Sequence, residues 1–413
     1  MIIIDKEIYF VLYPEMTNYI FDSDNTSSII KPHGGILIDR LCLINEDKSY
    51  YKDLQSVTLK ENQQLDLEKI ATGVYSPLKG FMDKKDLESV LNNMRLPNKI
   101  IWTIPILLDI SKEVAINIQE GDKVVLLDIN NEIIGLLHVS EIFQYDKNII
   151  INKIYGDVGI DHPGAKLIEI MNPVFLGGEI ELYKLKQSDY SQYDLTPKQT
   201  RRLFNEKNWT KVIGFHTRNP IHMAHEFIQV SGMKKGDCDG LFVHPVVGMK
   251  KANDYTSSII IKSYEIMQKE YYEKDKTAFG VFSTYSRYAG PREAVFTAIC
   301  RQNYGCSHFI VGRDHTGIGN KNINNKKDIF ASFNDLEIKI VKFNKVYYSK
   351  SRKKYIEQSN DLDIKDDDIM EISGTETRKL FQSGKYPPKW FMRPKISKMI
   401  MDSINNKMDV FVK

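Results

Sequence analysis

Long apolar runs are missing from these 413 residues. Nothing approaches the roughly 18 apolar positions that a membrane helix needs, so no span is expected. The opening MIIIDK meets charge too early for a secretory leader, and a cytoplasmic location is the expectation. Cysteine is scarce. Cys42, Cys238, Cys300 and Cys306 show no metal-ligand spacing, and free, largely buried thiols in a reducing compartment are expected. A surplus of either charge is also lacking: 57 Lys and Arg against 54 Asp and Glu leave +3, which offers no basic field for nucleic acid. There is no G-x-x-x-x-G-K-[ST], since neither Gly374 nor Gly384 has the needed partner, so no P-loop kinase is expected to be fused here. No internal repeat is found. The Asn/Lys-rich residues 320–328 and the acidic residues 361–368 read as solvated loops.

What is present is a hydrophobic content of 42% with 27% charged residues, the balance of a globular chain whose length predicts two or three domains. Residues 1–188 look strand-rich, with β-branched runs at 36–38, 100–106, 123–127 and 133–139 separated by turn signals such as Gly121-Asp122 and Asn130-Asn131. A barrel-like β domain fits. The stretches PHGG (32–35) and GVYSPLKGFM (73–82) read as turns with packing anchors at a domain or subunit contact. A polar stretch then precedes Thr196-Pro197, a helix cap and first turn. From there helices at 198–207, from 221, near 256–271 and at 291–303 alternate with strands at 212–215, 241–243, 278–282 and 309–311. That alternation predicts a parallel sheet wrapped by helices over 189–345, and residues 346–413 read as a small, mainly helical domain.

The chain is organised around VIGFHTRNPIHMAH, residues 212–225. A buried strand runs through a polar turn into a helix, and His222 and His225, three apart, share a face near the helix N-terminus. First-turn N–H groups, Arg218 and two imidazoles would converge there, a combination suited to polyphosphate. An isolated H-x-x-H is more often incidental than catalytic. Two features weigh the other way: Thr217, Arg218 and Asn219 sit at a strand's carboxyl end, where open α/β sheets place ligands, and six of the nine histidines fall between His216 and His315. The turn GRDHTG (312–317) follows another strand, with Arg313 able to pair with phosphate and Asp314 or His315 to hold an amine or a ribose edge. ISGTETR (372–378) reads equally well as a capped helix start or as a phosphate-facing Arg378.

These stretches, together with LFVHPVVG (241–248), YAGPREA (288–294) and NYGCSHFIVGRDH (303–315), make the chain similar to the sulfate adenylyltransferase, or ATP sulfurylase, family over nearly its full length. The resemblance implies a PUA-like β-barrel domain, a Rossmann-like nucleotidyltransferase domain and a small C-terminal domain. It also implies homo-oligomers, and ATP and sulfate as substrates, with Mg²⁺ carried by the ATP. The reaction implied joins sulfate to the AMP part of ATP and releases pyrophosphate, with an equilibrium that favours ATP. By similarity Thr217, Arg218 and Asn219 are the catalytic trio, and His222 and His225 donate to phosphate oxygens. His216, Gly312, Arg313, Asp314, His315 and Val346 join the trio in seating ATP, His216, Arg218 and Thr316 bind sulfate, and Phe343 lies in a mobile segment.

The family usually has Gln where His216 stands and Ala where Thr316 stands. A protonated His216 would add positive charge beside the oxyanion, so sulfate affinity is expected to weaken as that proton is lost. Three other readings remain: a related nucleotidyltransferase with a different nucleophile, a catalytically silent nucleotide- or sulfate-binding regulator, and an H-x-x-H zinc protein. The last lacks a third ligand, having Gln229 where a second helical His would be needed.

Overall fold

The computed structural model describes residues 29–45, 47–158, 161–312, 328–358 and 365–413. Arg313, Asp314, His315 and Thr316 lie outside them. In the N-terminal part a six-stranded sheet runs in the order Ser56–Thr58, Lys123–Leu127, Ile133–Gln144, Val174–Leu182, Gly80–Phe81, with Leu108–Ile110 also paired to Val174–Leu182. The long hairpin at its centre turns where the Asp128 carboxylate accepts from Asn130 and Glu132 N–H groups and Asn131 takes φ 60°. Asn tolerates that left-handed conformation well.

Two runs read as strands are not strands. Ile36 is 69% exposed, and residues 36–38 form no ladder. Residues 100–106 bury Ile101, Trp102, Ile104 and Ile106 in an extended path with a single bridge to Arg95. Their apolar character reflects packing, which an irregular segment satisfies as well as a strand.

The second half is built on a parallel sheet: β1 (Val212–Phe215), α1 (Met223–Gly236), β2 (Gly240–Val243), α2 (Ser257–Glu270), β3 (Thr277–Phe279), α3 (Pro291–Asn303), β4 (His308–Val311) and β5 (Lys339–Lys342). Spatial order is β3-β2-β1-β4-β5, every pair parallel. All residues of β1 and β2 are buried, as expected of strands covered on both faces. The chain moves outward from β1 to β3, then returns to lay β4 on the other side of β1. That reversal opens a crevice beyond the carboxyl ends of β1 and β4. The run 278–282 breaks at Gly280, because Val281 N–H leaves the ladder for the Tyr193 carbonyl (2.8 Å) and Phe282–Ser283 pairs instead with Val246–Val247.

Helix α3 is buried from Glu293 to Asn303 and lies between the two halves. Its Asn303 side chain donates to the Val74 and Ser76 carbonyls and accepts from His33 N–H, so PHGG and GVYSPLKGFM do meet the second half here. Gly214 of β1 permits the close approach: a Cβ there would sit 2.9 Å from Cγ of Arg301.

After residue 345 the chain forms a three-stranded antiparallel sheet, Lys354–Glu357, Val346–Ser349 and Ile369–Met370, as well as the helices Gly374–Gln382 and α4 (Pro394–Asn405). Phe381, Phe391, Ile396 and Ile400 share one core with Ile213, Phe215 and Leu241. The tail therefore buttresses the parallel sheet.

Candidate active site

Leaving β1 at Phe215, the chain makes the turn His216 to His222 and enters α1. Thr217 is buried, its carbonyl accepting from Val246 N–H (2.8 Å) and its hydroxyl from Asn219 N–H (3.2 Å). This Asx-like closure fixes the turn. Arg218 projects over the Tyr288 ring (5.5 Å from guanidinium carbon to centroid) and donates from Nη1 to Ser286 Oγ (3.2 Å).

His222 is the N-cap of α1 and His225 lies in its first turn. Their rings stack at 3.6 Å, with Phe391 on the other face of His222 at 4.9 Å. Both Nδ1 atoms are buried without a hydrogen-bond partner among the described residues. Loss of solvent lowers the His222 pKa to about 4 and that of His225 well below its ordinary value, the latter also because His222 is beside it. Near pH 7 the pair is neutral, and each ring has one hydrogen to donate. Glu226, the one acid in that first turn, is neutralised by Arg393 at the start of α4 (2.8 and 2.5 Å), which keeps the helix end attractive to anions.

The loop after β3 is held from below. Arg287 is fully enclosed and pairs with Asp66 of the N-terminal helix Glu61–Ala71, while Tyr285 and Tyr75 hydroxyls donate to the same carboxylate (2.8 and 3.1 Å). Burial works against the Arg287 charge, and Asp66, Tyr285, Tyr75 and Glu293 together more than offset it. Glu293 accepts from the Arg287 and Ala289 N–H groups, both at 3.0 Å. These anchors hold Tyr288 in a left-handed conformation, φ 56°, under Arg218.

Lys250 completes the cationic rim. Its Nζ donates to the Val246 carbonyl (3.0 Å), and burial lowers its pKa to about 8, with Asp254 opposing and Arg218 adding to the drop. Arg301 of α3 lies beneath the turn, fully buried, its Nη2 3.0 Å from both His216 Nδ1 and the His244 carbonyl. A guanidinium only donates, so Nδ1 accepts. With Nδ1 accepting, a neutral His216 ring carries its hydrogen on Nε2.

Of the other residues named from sequence, Gly312 lies just past β4 at the same carboxyl edge. Val346 opens the strand after β5 and packs half-buried against the core. Phe343 is buried, under Lys235 Nζ (4.0 Å). The histidine cluster dissolves in part: His308 begins β4, at the far end of the sheet, and His244 is enclosed by Phe242, Phe282 and Tyr304. Ser373 caps its helix in a capping box with Glu376, and Arg378 donates to Thr375. Cys42 is exposed and Cys238 half-buried, so only Cys300 and Cys306 meet the buried expectation. Lys250, Arg301, Ser286 and Phe391 went unnoticed because no local spacing marks them.

A cavity of about 650 Å³ in the N-terminal part, lined by Tyr145, Lys147, Asn148 and Glu169 among others, shares no residue with this turn.

Comparison with known proteins finds relatives over most of the chain. Residues 191–403 match the family model described as ATP-sulfurylase, and residues 30–185 that of a PUA-like domain. The sulfate adenylyltransferase of Halothermothrix orenii is 38% identical over 91% of this chain and 100% of its own length. That of Pyrococcus abyssi is 39% identical over 90% and 97%. A hexameric APS kinase from Thiobacillus denitrificans superposes with a TM-score of 0.72 at 20% identity, covering 91% of this chain and 68% of that one, a likeness of fold.

Proposed function

The chain belongs to the ATP-sulfurylase family, and from that premise we propose that the turn from His216 to His225 carries the reaction of ATP with sulfate to adenosine 5′-phosphosulfate and pyrophosphate. The chain is a nucleotidyltransferase of that activity, with a PUA-like N-terminal domain before it. The observation that carries the site is the stacked, neutral His222–His225 pair at a helix N-terminus, both Nδ1 atoms buried and without a partner among the described residues.

A sulfate oxygen forms the new bond to the α-phosphorus as the bond from that phosphorus to the bridging α–β oxygen breaks, and the electron pair leaves with pyrophosphate. Sulfate is already a dianion, so no proton need be removed. Bringing two anions together is the obstacle, which makes charge neutralisation and alignment the task. Arg218, steadied by Ser286 and Tyr288, holds sulfate; Thr217 and Asn219 shape the turn; His222 and His225 donate to phosphate oxygens as charge builds. His216 donates from Nε2 to sulfate, and Gly312, Arg313, Asp314, His315 and Val346 seat ATP, with Thr316 N–H adding to the sulfate site. Phe343 is placed to couple that edge to the core.

Mg²⁺ enters with ATP. A hard cation of that kind is bound chiefly by the substrate's phosphate oxygens. The boundaries 1–188, 189–345 and 346–413 and a homo-oligomer complete the reading; no described helix is long and apolar enough to cross a membrane.

The test is ATP formation by purified protein supplied with adenosine 5′-phosphosulfate, pyrophosphate and Mg²⁺, the favourable direction. Absence of ATP from folded protein would remove the reading in favour of a different nucleophile or a binding role.

Lys250 gives a pH signature. Below about 8 it is cationic and above that neutral, so kcat/KM for sulfate should fall on the order of tenfold as pH rises from 7 to 9. Lys250→Arg, which keeps its charge, should flatten the profile. An unchanged slope in that variant would place the titration elsewhere.

A further inference from the structure

Arg301 is the feature the mechanism above leaves unused. It is a wholly buried guanidinium, and the ionisable groups that act most on it among the described residues, Cys300, Tyr304, Cys306 and Tyr75, include no carboxylate. Its Nε and Nη1 have no partner among the described residues, and it is packed against the rings of Phe282 (4.4 Å) and Phe309 (5.7 Å). A buried cation without a counterion is costly, and an apolar residue of similar volume would ordinarily be favoured there. Its hydrogen-bonded side chain among the described residues is His216, at Nδ1, and Gly214 leaves room for the Arg301 stem, since a Cβ there would lie 2.9 Å from Arg301 Cγ.

We propose that Arg301 is a positioning residue for adenylyl transfer: it fixes the tautomer of His216, so that the ring presents Nε2–H to the sulfate oxygen. Histidine differs from an amide in this respect. A neutral imidazole has one donor and one acceptor that exchange places between tautomers, and only a partner on the second nitrogen decides which faces the ligand. A carboxylate or carbonyl on Nδ1 would draw the hydrogen inward and leave a lone pair toward sulfate. A guanidinium, having no acceptor, forces the reverse, and its uncompensated charge adds to the attraction for an anion above it. Arg301 also donates to the His244 carbonyl, which ties the choice of tautomer to the end of β2, the strand next to the reacting turn.

The inference rests on the function proposed above, and the experiment separates the two. Full-length protein labelled with ¹⁵N-histidine is examined without substrate near pH 7.5, and the His216 signal is identified by its loss in His216→Gln. One hydrogen on Nε2 and a bare Nδ1 is the expected spectrum; an Nδ1–H tautomer or an imidazolium overturns the proposal, whether or not the enzyme is active. Kinetics supply the second arm. Arg301→Met should lower kcat/KM for sulfate roughly ten- to a hundredfold. His216→Gln introduced in the Arg301→Met background should recover most of that loss, since an amide donates without a tautomer to set. Equal losses in the single and double variants would mean that Arg301 serves packing alone and would overturn the proposal. Should Arg301→Met not fold, the wild-type spectrum still decides.

Discussion

Arg218→Ala is expected to lower kcat/KM for sulfate by about a thousandfold or more while leaving the fold intact. The charge it removes is the one that faces the incoming dianion, and a lost preorganised donor at a developing charge ordinarily costs about 10²–10³ in rate. The same side chain holds the first anion against repulsion from the second, so loss of binding compounds the loss in rate. The surroundings of Arg218 support that reading. Ser286 takes one nitrogen, Tyr288 lies under the plane, and no carboxylate is hydrogen-bonded to it among the described residues. The measurement is pyrophosphate release from ATP as a function of sulfate concentration, with circular dichroism as the control for folding. A sulfate KM and kcat near wild type in that variant would take the anion site away from this turn.

Asp66→Ala should destabilise the protein by about 3–5 kcal/mol, because it strands Arg287, a fully enclosed guanidinium, without its counter-charge and leaves the Tyr75 and Tyr285 hydroxyls without their acceptor. The consequence reaches the site. Arg287 anchors the loop whose neighbouring residues Ser286 and Tyr288 hold Arg218, so the variant should also lose sulfate affinity at temperatures where it remains folded. A denaturant midpoint close to wild type would show that the buried pair is dispensable. Asp66→Asn keeps one acceptor oxygen and should fall between the two. The N-terminal domain thus helps to shape the catalytic turn.

The strand at 212–215, the helix at 291–303 and the alternation between them were legible in the sequence because burial leaves a local trace: continuous apolar runs for strands covered on both faces, and turn residues between. Where burial occurs without a regular ladder, as at Trp102 and Ile104, the same trace misled, since it reports hydrophobicity and not hydrogen bonding. The strand read at 278–282 failed for a related reason. Tyr193, far back in the chain, captures the Val281 N–H and splits it.

For the site, sequence determined the residue types at one turn: an arginine, three histidines and an asparagine at the end of a strand, the place proposed above for phosphate and sulfate. Order along the chain settles such things, because a strand, its turn and the helix that follows are neighbours by covalent connection. Tertiary structure alone decided how that turn is equipped. Arg301 meets His216 across 85 positions, Arg287 meets Asp66 across 221, and Arg393 meets Glu226 across 167. It separated His308 from His222 by the length of a strand, and it set a guanidinium against His216 Nδ1. No periodicity encodes these pairings, because each depends on where two distant elements pack, and packing is settled by the whole core at once.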